Sequence, residues 1–165
     1  MNLIVAVDEK WAIGKDNNLL FHIGIDMQYF KHITQNKIVI MGRKTWESLP
    51  KKPLPERLNI ILTKDKNFKV DNENVLVFYN VDDMLEKLNN NFRKHDIFVI
   101  GGEQIYNLLL PYCDNCYITQ VRGNYNGNKF FPNLDNDKNF KKEYISALWK
   151  ENEYELYFTI YHRIK

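Results

Sequence analysis

Apolar residues along the chain fall into short runs punctuated by glycine, proline and polar clusters, and the period of each run predicts its element. Leu3-Ile4-Val5-Ala6-Val7 is continuous and rich in branched residues, which predicts a buried strand over 2–7. Residues 14–24 scatter Gly14, Asp16, Asn17, Asn18 and Gly24 around Leu19, Leu20, Phe21 and Ile23, which predicts a long loop. From Ile25 to about residue 34, Met27, Phe30 and Ile33 recur at helical spacing. A strand at 37–41 runs into a helix at 43–49, and Pro50, Pro53 and Pro55 then exclude regular structure until a strand at 58–63. A short strand at 75–77 precedes a helix at 81–90, where Val81, Met84, Leu85 and Leu88 share a face. Strand 96–100, helix 103–109 and strand 116–121 follow, then a polar loop over 122–139. In the tail, Tyr154, Leu156, Phe158 and Ile160 alternate with Glu155, Tyr157 and Thr159, so strands 140–148 and 153–163 form a hairpin through Lys150-Glu151-Asn152.

This alternation of strand and helix predicts an α/β fold: one domain over 1–165, a mixed, mostly parallel eight-stranded sheet, a C-terminal antiparallel hairpin and about four flanking helices. A chain of 165 residues buries a core without metal or disulfide staples. The net charge of +2 and the lack of a long basic run give no footprint for nucleic acid. No apolar stretch approaches the ~20 residues of a membrane span. The opening apolar run has no basic flank and meets Asp8, so it reads as a strand rather than a signal peptide, which predicts a cytoplasmic protein. Cys113-Asp114-Asn115-Cys116 has redox spacing but no second pair or histidine cluster, so two reduced bystander thiols are expected and no metal site.

Two junctions repeat one arrangement, an apolar strand entering glycine and then a helix: Ile38 to Trp46 around Gly42, and Ile97 to Tyr106 around Gly101-Gly102. Each is either an ordinary turn or a seat for anionic oxygen, since free helix N–H groups and the dipole favour negative charge. Arg43, Lys44 and Lys64 stand at such strand ends, and no carboxylate is evident beside them. Unless they are plain surface charges, they fit a dinucleotide with an extra phosphate, NADPH rather than NADH. Asp26 shares a stripe with Phe30 and Ile33, where desolvation would raise its pKa; a first-turn aspartate is also favoured by the dipole alone. Arg57 follows the stiff Pro53-Leu54-Pro55 segment and can receive a carboxylate, or stand free at a strand edge.

In this order the pieces resemble dihydrofolate reductase over essentially the whole chain. The resemblance rests on Ala12-Ile13-Gly14, Asp26, the run from Val39 through Met41-Gly42-Arg43-Lys44-Thr45-Trp46-Glu47-Ser48, and Pro53-Leu54-Pro55 with Arg57. It continues in Asn59-Ile60-Ile61-Leu62-Thr63, Ile100-Gly101-Gly102 with Tyr106, Tyr117-Ile118-Thr119 and Phe131-Pro132. It implies hydride transfer from NADPH to 7,8-dihydrofolate, giving tetrahydrofolate for one-carbon metabolism, in a monomer that antifolates inhibit. Carried over by position, Asp26 with Thr119 would hold the pterin and promote protonation of its N5, and Phe21 would take a lid position. Ile4, Val5, Ala6, Met27, Phe30, Leu49, Leu54, Ile100 and Tyr106 would line the substrate pocket, and Arg57 would bind the glutamate carboxylate. Ala6, Ile13, Gly14, Gly42, Arg43, Lys44, Thr45, Leu62, Thr63 and Lys64, with the backbone at Gly101, Gly102, Glu103, Gln104 and Ile105, would hold NADPH. A cis peptide between Gly101 and Gly102 is also implied.

Three positions depart from the family. Leu20-Phe21-His22 replaces a Leu-Pro-Trp-like lid, and Phe21 lacks an indole N–H. Gly24 stands where proline is common, which predicts a looser hinge before the Asp26 helix; Tyr79 stands where some relatives have lysine. A pyrimidine reductase of riboflavin synthesis and a nucleotide-binding module without catalysis are the other readings. Asp26, and for the reductase its pairing with Arg57, argues against both.

Overall fold

The computed structural model describes all residues from Met1 to Lys165. In chain order the elements are β1 (Asn2–Val7), β2 (Ala12–Lys15), β3 (Asn18–Leu19), α1 (Gly24–Thr34), β4 (Ile38–Gly42), α2 (Arg43–Ser48), β5 (Leu58–Leu62) and β6 (Val75–Phe78). Then come α3 (Val81–Asn91), β7 (Ile97–Gly101), α4 (Glu103–Leu109), β8 (Asn115–Val121), β9 (Lys129–Phe130), β10 (Phe140–Ile145), β11 (Trp149–Glu151) and β12 (Tyr154–Arg163). Eight strands run in the order β10-β12-β8-β1-β7-β4-β5-β6, and β11 pairs onto β12 as a ninth. From β8 to β6 the neighbours are parallel, while β12 runs antiparallel to β8, β10 and β11. The α/β reading holds, with its parallel centre, antiparallel tail and four helices.

The core divides across the sheet as strand alternation requires. Leu3, Val5, Val7, Ile40, Ile60 and Val99 belong to the main cluster, while Val39, Met41, Ile61 and Trp46 form a second on the other face. A third, Phe21, Ile23, Val121, Leu156 and Phe158, lies where the lid segment meets β8 and β12.

Three local readings change. The two predicted loops contain a small sheet, β3-β2-β9, because Asp16 and Asn17 both take positive φ (49° and 68°) and close a two-residue hairpin. The strand predicted at 140–148 ends at Ile145, and part of the predicted connection forms the separate strand β11; between them the Ser146 hydroxyl accepts the Phe158 N–H at 2.9 Å. Met27, placed with Phe30 and Ile33 on the apolar stripe, is 58% exposed, and the stripe rotates toward Asp26, Tyr29, Phe30 and Ile33, which are all half-buried.

Candidate active site

Strands β7, β4 and β5 end side by side: Met41 registers with Gly101, and Gly42 with Leu62. Gly42 and Gly102 are the N-cap positions of α2 and α4, and neither helix start has a side-chain cap. The junctions touch each other. A Cβ on Gly42 would lie 2.9 Å from Ile105 Cγ1, and one on Gly102 3.4 Å from Thr45 Oγ1. Gly101 has φ +128°, and a Cβ there would press on the Tyr106 ring at 3.3 Å. The Gly101–Gly102 peptide is cis, as the resemblance implies. The crevice outside the carboxyl ends of parallel strands is where α/β sheets take ligands, and this one has bare glycine backbone to meet a dinucleotide.

Arg43 is half-exposed, and Lys44 and Lys64 are exposed and in no ion pair. Carboxylates do stand beside Arg43, contrary to the sequence reading: Nε lies 3.7 Å from Glu47 Oε1 and Nη1 3.8 Å from Asp65 Oδ2. Glu47 reaches it as an i,i+4 neighbour. Asp65 does so because the turn after β5, held by Asp65 N–H to Thr63 Oγ1 at 3.2 Å, folds back. Such long, solvated pairs hold the guanidinium weakly, so a phosphate can displace them.

At the middle of the sheet Ala6 on β1 registers with Thr119 on β8, and Thr119 with Phe158 on β12. Thr119 is buried and donates its hydroxyl to Asp26 Oδ1 at 2.7 Å. Burial pushes the Asp26 carboxyl above its ordinary pKa; the Thr119 hydrogen bond opposes this and is the smaller effect. Tyr106 donates its hydroxyl to the Ile4 carbonyl at 2.8 Å. Its own pKa is raised by burial and then by the Asp26 charge, so the two share one electrostatic environment. Ile4, Ala6, Thr119, Asp26 and Tyr106 therefore converge. Val5, Ile13 and Leu62 pack in the main core cluster, to which Tyr106 also belongs.

Further along α1, Arg57 is buried with its Nη1 donating to Thr34 Oγ1 at 3.0 Å and Nε to the Pro55 carbonyl at 2.9 Å. Its guanidinium carbon sits 5.9 Å from the Phe30 ring centre, and Nη2 has no hydrogen-bond partner. Burial lowers its pKa, though a guanidinium remains charged. Asn59, fully buried, fixes the loop that carries Arg57, accepting the Leu54 N–H at 2.9 Å and donating to the carbonyls of Leu54 and Arg57 at 3.0 Å. Leu49, Leu54 and Ile100 pack half-buried around the second core cluster nearby.

The lid segment is fastened at several points. Phe21 is buried, edge-on to Tyr125 with centroids 5.1 Å apart, and contributes packing without a polar atom. Ala12 and Gly14 on β2 register with Phe130 and Lys129 on β9. The Phe130 N–H donates to Glu103 Oε2 at 2.6 Å, tying β9 to the glycine junction. Gly24 and Ile25 donate their N–H groups to Glu151 at 2.6 and 3.1 Å, so the expected loose hinge is instead held. Glu151 and Thr34 were not singled out from sequence, Glu103 was named only for its backbone and Asn59 only as part of a strand motif. Each acts through a partner chosen by tertiary folding. Both cysteines are free and buried, and burial pushes the Cys113 thiol up to about 12, as bystander thiols require.

A parallel sheet whose strand ends carry two apposed glycine junctions, beside a desolvated carboxyl, defines a nucleotide-dependent α/β enzyme. A solved structure of this fold is dihydrofolate reductase from Enterococcus faecalis complexed with NADP(H) and RAB-propyl; it superposes with a TM-score of 0.84 at 30% identity, covering 99% of this chain and 96% of the other. The chain belongs to the dihydrofolate reductase family, whose model matches residues 1–163, and is thus an NADP-dependent oxidoreductase. Dihydrofolate reductase of Staphylococcus haemolyticus is 37% identical over all of this chain and 96% of its own length. That of Bacillus subtilis is 36% identical over 99% and 94%.

Proposed function

We propose that this chain reduces 7,8-dihydrofolate to tetrahydrofolate with NADPH, and that Asp26 is the residue through which it activates the pterin. The desolvated Asp26 carboxyl, held only by Thr119 at 2.7 Å, carries the assignment. Ile4, Ala6, Phe30 and Ile100 would line the pterin pocket beside it, and Tyr106, whose hydroxyl is fixed on the Ile4 carbonyl at 2.8 Å, would close the side toward the glycine junction. Such a carboxyl hydrogen-bonds the pterin's amidine-like edge and, kept protonated to higher pH by its dry surroundings, promotes protonation of N5 as hydride arrives. NADPH, when bound, supplies the hydride.

The chain's own contribution is placement. Gly42, Thr45, Gly101, Gly102 and the start of α4 seat the dinucleotide; Arg43, Lys44 and Lys64 meet its extra phosphate, with Arg43 released from Glu47 and Asp65. Leu49 and Leu54 flank the benzoyl ring, and the open Nη2 of Arg57 takes the glutamate carboxylate. Phe21 and its aromatic neighbours exclude water from the covered side. The activity would serve one-carbon metabolism in the cytoplasm, from a monomer. The test is NADPH oxidation by purified folded protein that depends on added dihydrofolate; binding of both ligands without turnover would defeat the reading.

A further inference from the structure

Helix α1 begins without a capping side chain of its own. Its N-cap, Ile23, is apolar, and the first orphan amides of the helix are met from the far end of the chain by Glu151 on β11. Oε2 accepts the Gly24 N–H at 2.6 Å and Oε1 the Ile25 N–H at 3.1 Å, across sequence separations of 127 and 126 residues. Glu151 is half-buried and in no ion pair, so these amides are its partners and the helix dipole meets its charge. The approach depends on glycine: a Cβ at Gly24 would lie 3.0 Å from Oε1 and 3.3 Å from Oε2. Asp26 follows directly after Ile25.

We propose that Glu151 is a positioning residue for Asp26, a carboxylate clamp from the C-terminal hairpin that sets where α1 starts and so where the Asp26 carboxyl meets the substrate. This rests on the proposed reduction of dihydrofolate. Asp26 has one side-chain hydrogen bond, to Thr119, so its place depends on the backbone one residue away. Glycine and glutamate act as a unit. A proline at the first helical position pre-sets φ but has no N–H to donate, and its ring would displace the carboxylate. Ile23, at φ −105° and ψ 119°, already has the conformation a residue before proline takes. Proline alone and glycine with glutamate are thus two ways of fixing one helix start.

The experiment is single-turnover hydride transfer with steady-state KM values for Glu151→Ala, Glu151→Gln, Gly24→Pro and the double variant Gly24→Pro/Glu151→Ala. Glu151→Ala is expected to slow hydride transfer about tenfold, the scale of a sub-ångström misplacement. KM for dihydrofolate rises with it and KM for NADPH stays put. Glu151→Gln, which keeps one acceptor oxygen, retains most of the rate. Gly24→Pro alone is impaired, yet in the Glu151→Ala background it restores the rate, because the carboxylate is gone and the ring fixes the start. Wild-type hydride transfer in Glu151→Ala, or equal rises in both KM values with no rescue by proline, overturns the proposal. If wild-type protein does not turn over dihydrofolate, the functional reading fails separately. Amide exchange at Gly24 and Ile25 then decides the clamp: it stands if Glu151→Ala accelerates both and falls if they already exchange as exposed amides.

Discussion

The Thr119 hydroxyl donates to Asp26 Oδ1 at 2.7 Å from a strand position that is 1% exposed. The hydrogen bond favours the charged carboxylate while burial favours the neutral acid, and burial is the larger effect. Asp26 is therefore held in reserve, uncharged further up the pH scale than an ordinary aspartate.

Asp26→Asn should lower hydride transfer by roughly 10²-fold or more, the range of a lost acid–base group. The variant should also be more stable than wild type at neutral pH. A carboxyl whose pKa folding has raised contributes stability fully present below its ordinary value of 3.8 and lost as pH rises through the folded value. Asparagine has no such loss. Thermal melts of the two proteins should separate at neutral pH and converge in acid; a less stable variant at neutral pH would contradict the burial argument.

Thr119→Val removes the opposing hydrogen bond, so the Asp26 pKa should rise further. The fall of the hydride-transfer rate with rising pH should then move toward higher pH, at a stability cost of about 1 kcal/mol. An unmoved profile would mean that this hydroxyl does not tune the acid.

Arg57→Lys should raise KM for dihydrofolate about tenfold or more, because a point charge cannot reproduce the planar fork that Thr34 and Pro55 orient. Thr34→Val should do the same more weakly. A substrate analogue lacking the glutamate should bind both variants as it binds wild type.

Asp65→Asn should tighten NADPH severalfold, since Arg43 then gives up one carboxylate fewer to receive phosphate. NADH affinity should stay unchanged, and Arg43→Ala should erase most of the discrimination. Titrations of both nucleotides at low and moderate salt measure this; equal gains for NADPH and NADH would remove the phosphate from the argument.

Gly101→Ala should be destabilised by about 1–3 kcal/mol, with nucleotide binding lost alongside. Its φ of +128° strains any other residue, and the added carbon would meet the Tyr106 ring at 3.3 Å. Denaturant unfolding and NADPH titration on one preparation give both numbers.

Much of this architecture is legible locally. The run from Ile38 to Trp46 announces strand, glycine and helix because period and backbone freedom are properties of neighbouring residues. The Asp16-Asn17 hairpin was legible too, since both residue types tolerate positive φ, but a polar run around apolar residues reads first as a loop. Met27 shows the limit of periodicity: a stripe is wide enough to include a residue at its margin, and packing decides which edge is buried.

The sequence by itself determined the α/β class, the glycine junctions, the placement of Asp26 in a first helical turn and Arg57 behind its prolines. The resemblance already set Thr119 beside Asp26, but only the tertiary structure decided the other partners: Thr34 for Arg57, Asp65 for Arg43, Glu103 for the Phe130 amide and Glu151 for the start of α1. The reason is one of range. Backbone conformation follows from steric and periodic preferences over a few residues, whereas a charge or hydroxyl takes whichever partner folding brings within about 3 Å, up to 127 residues away in this chain.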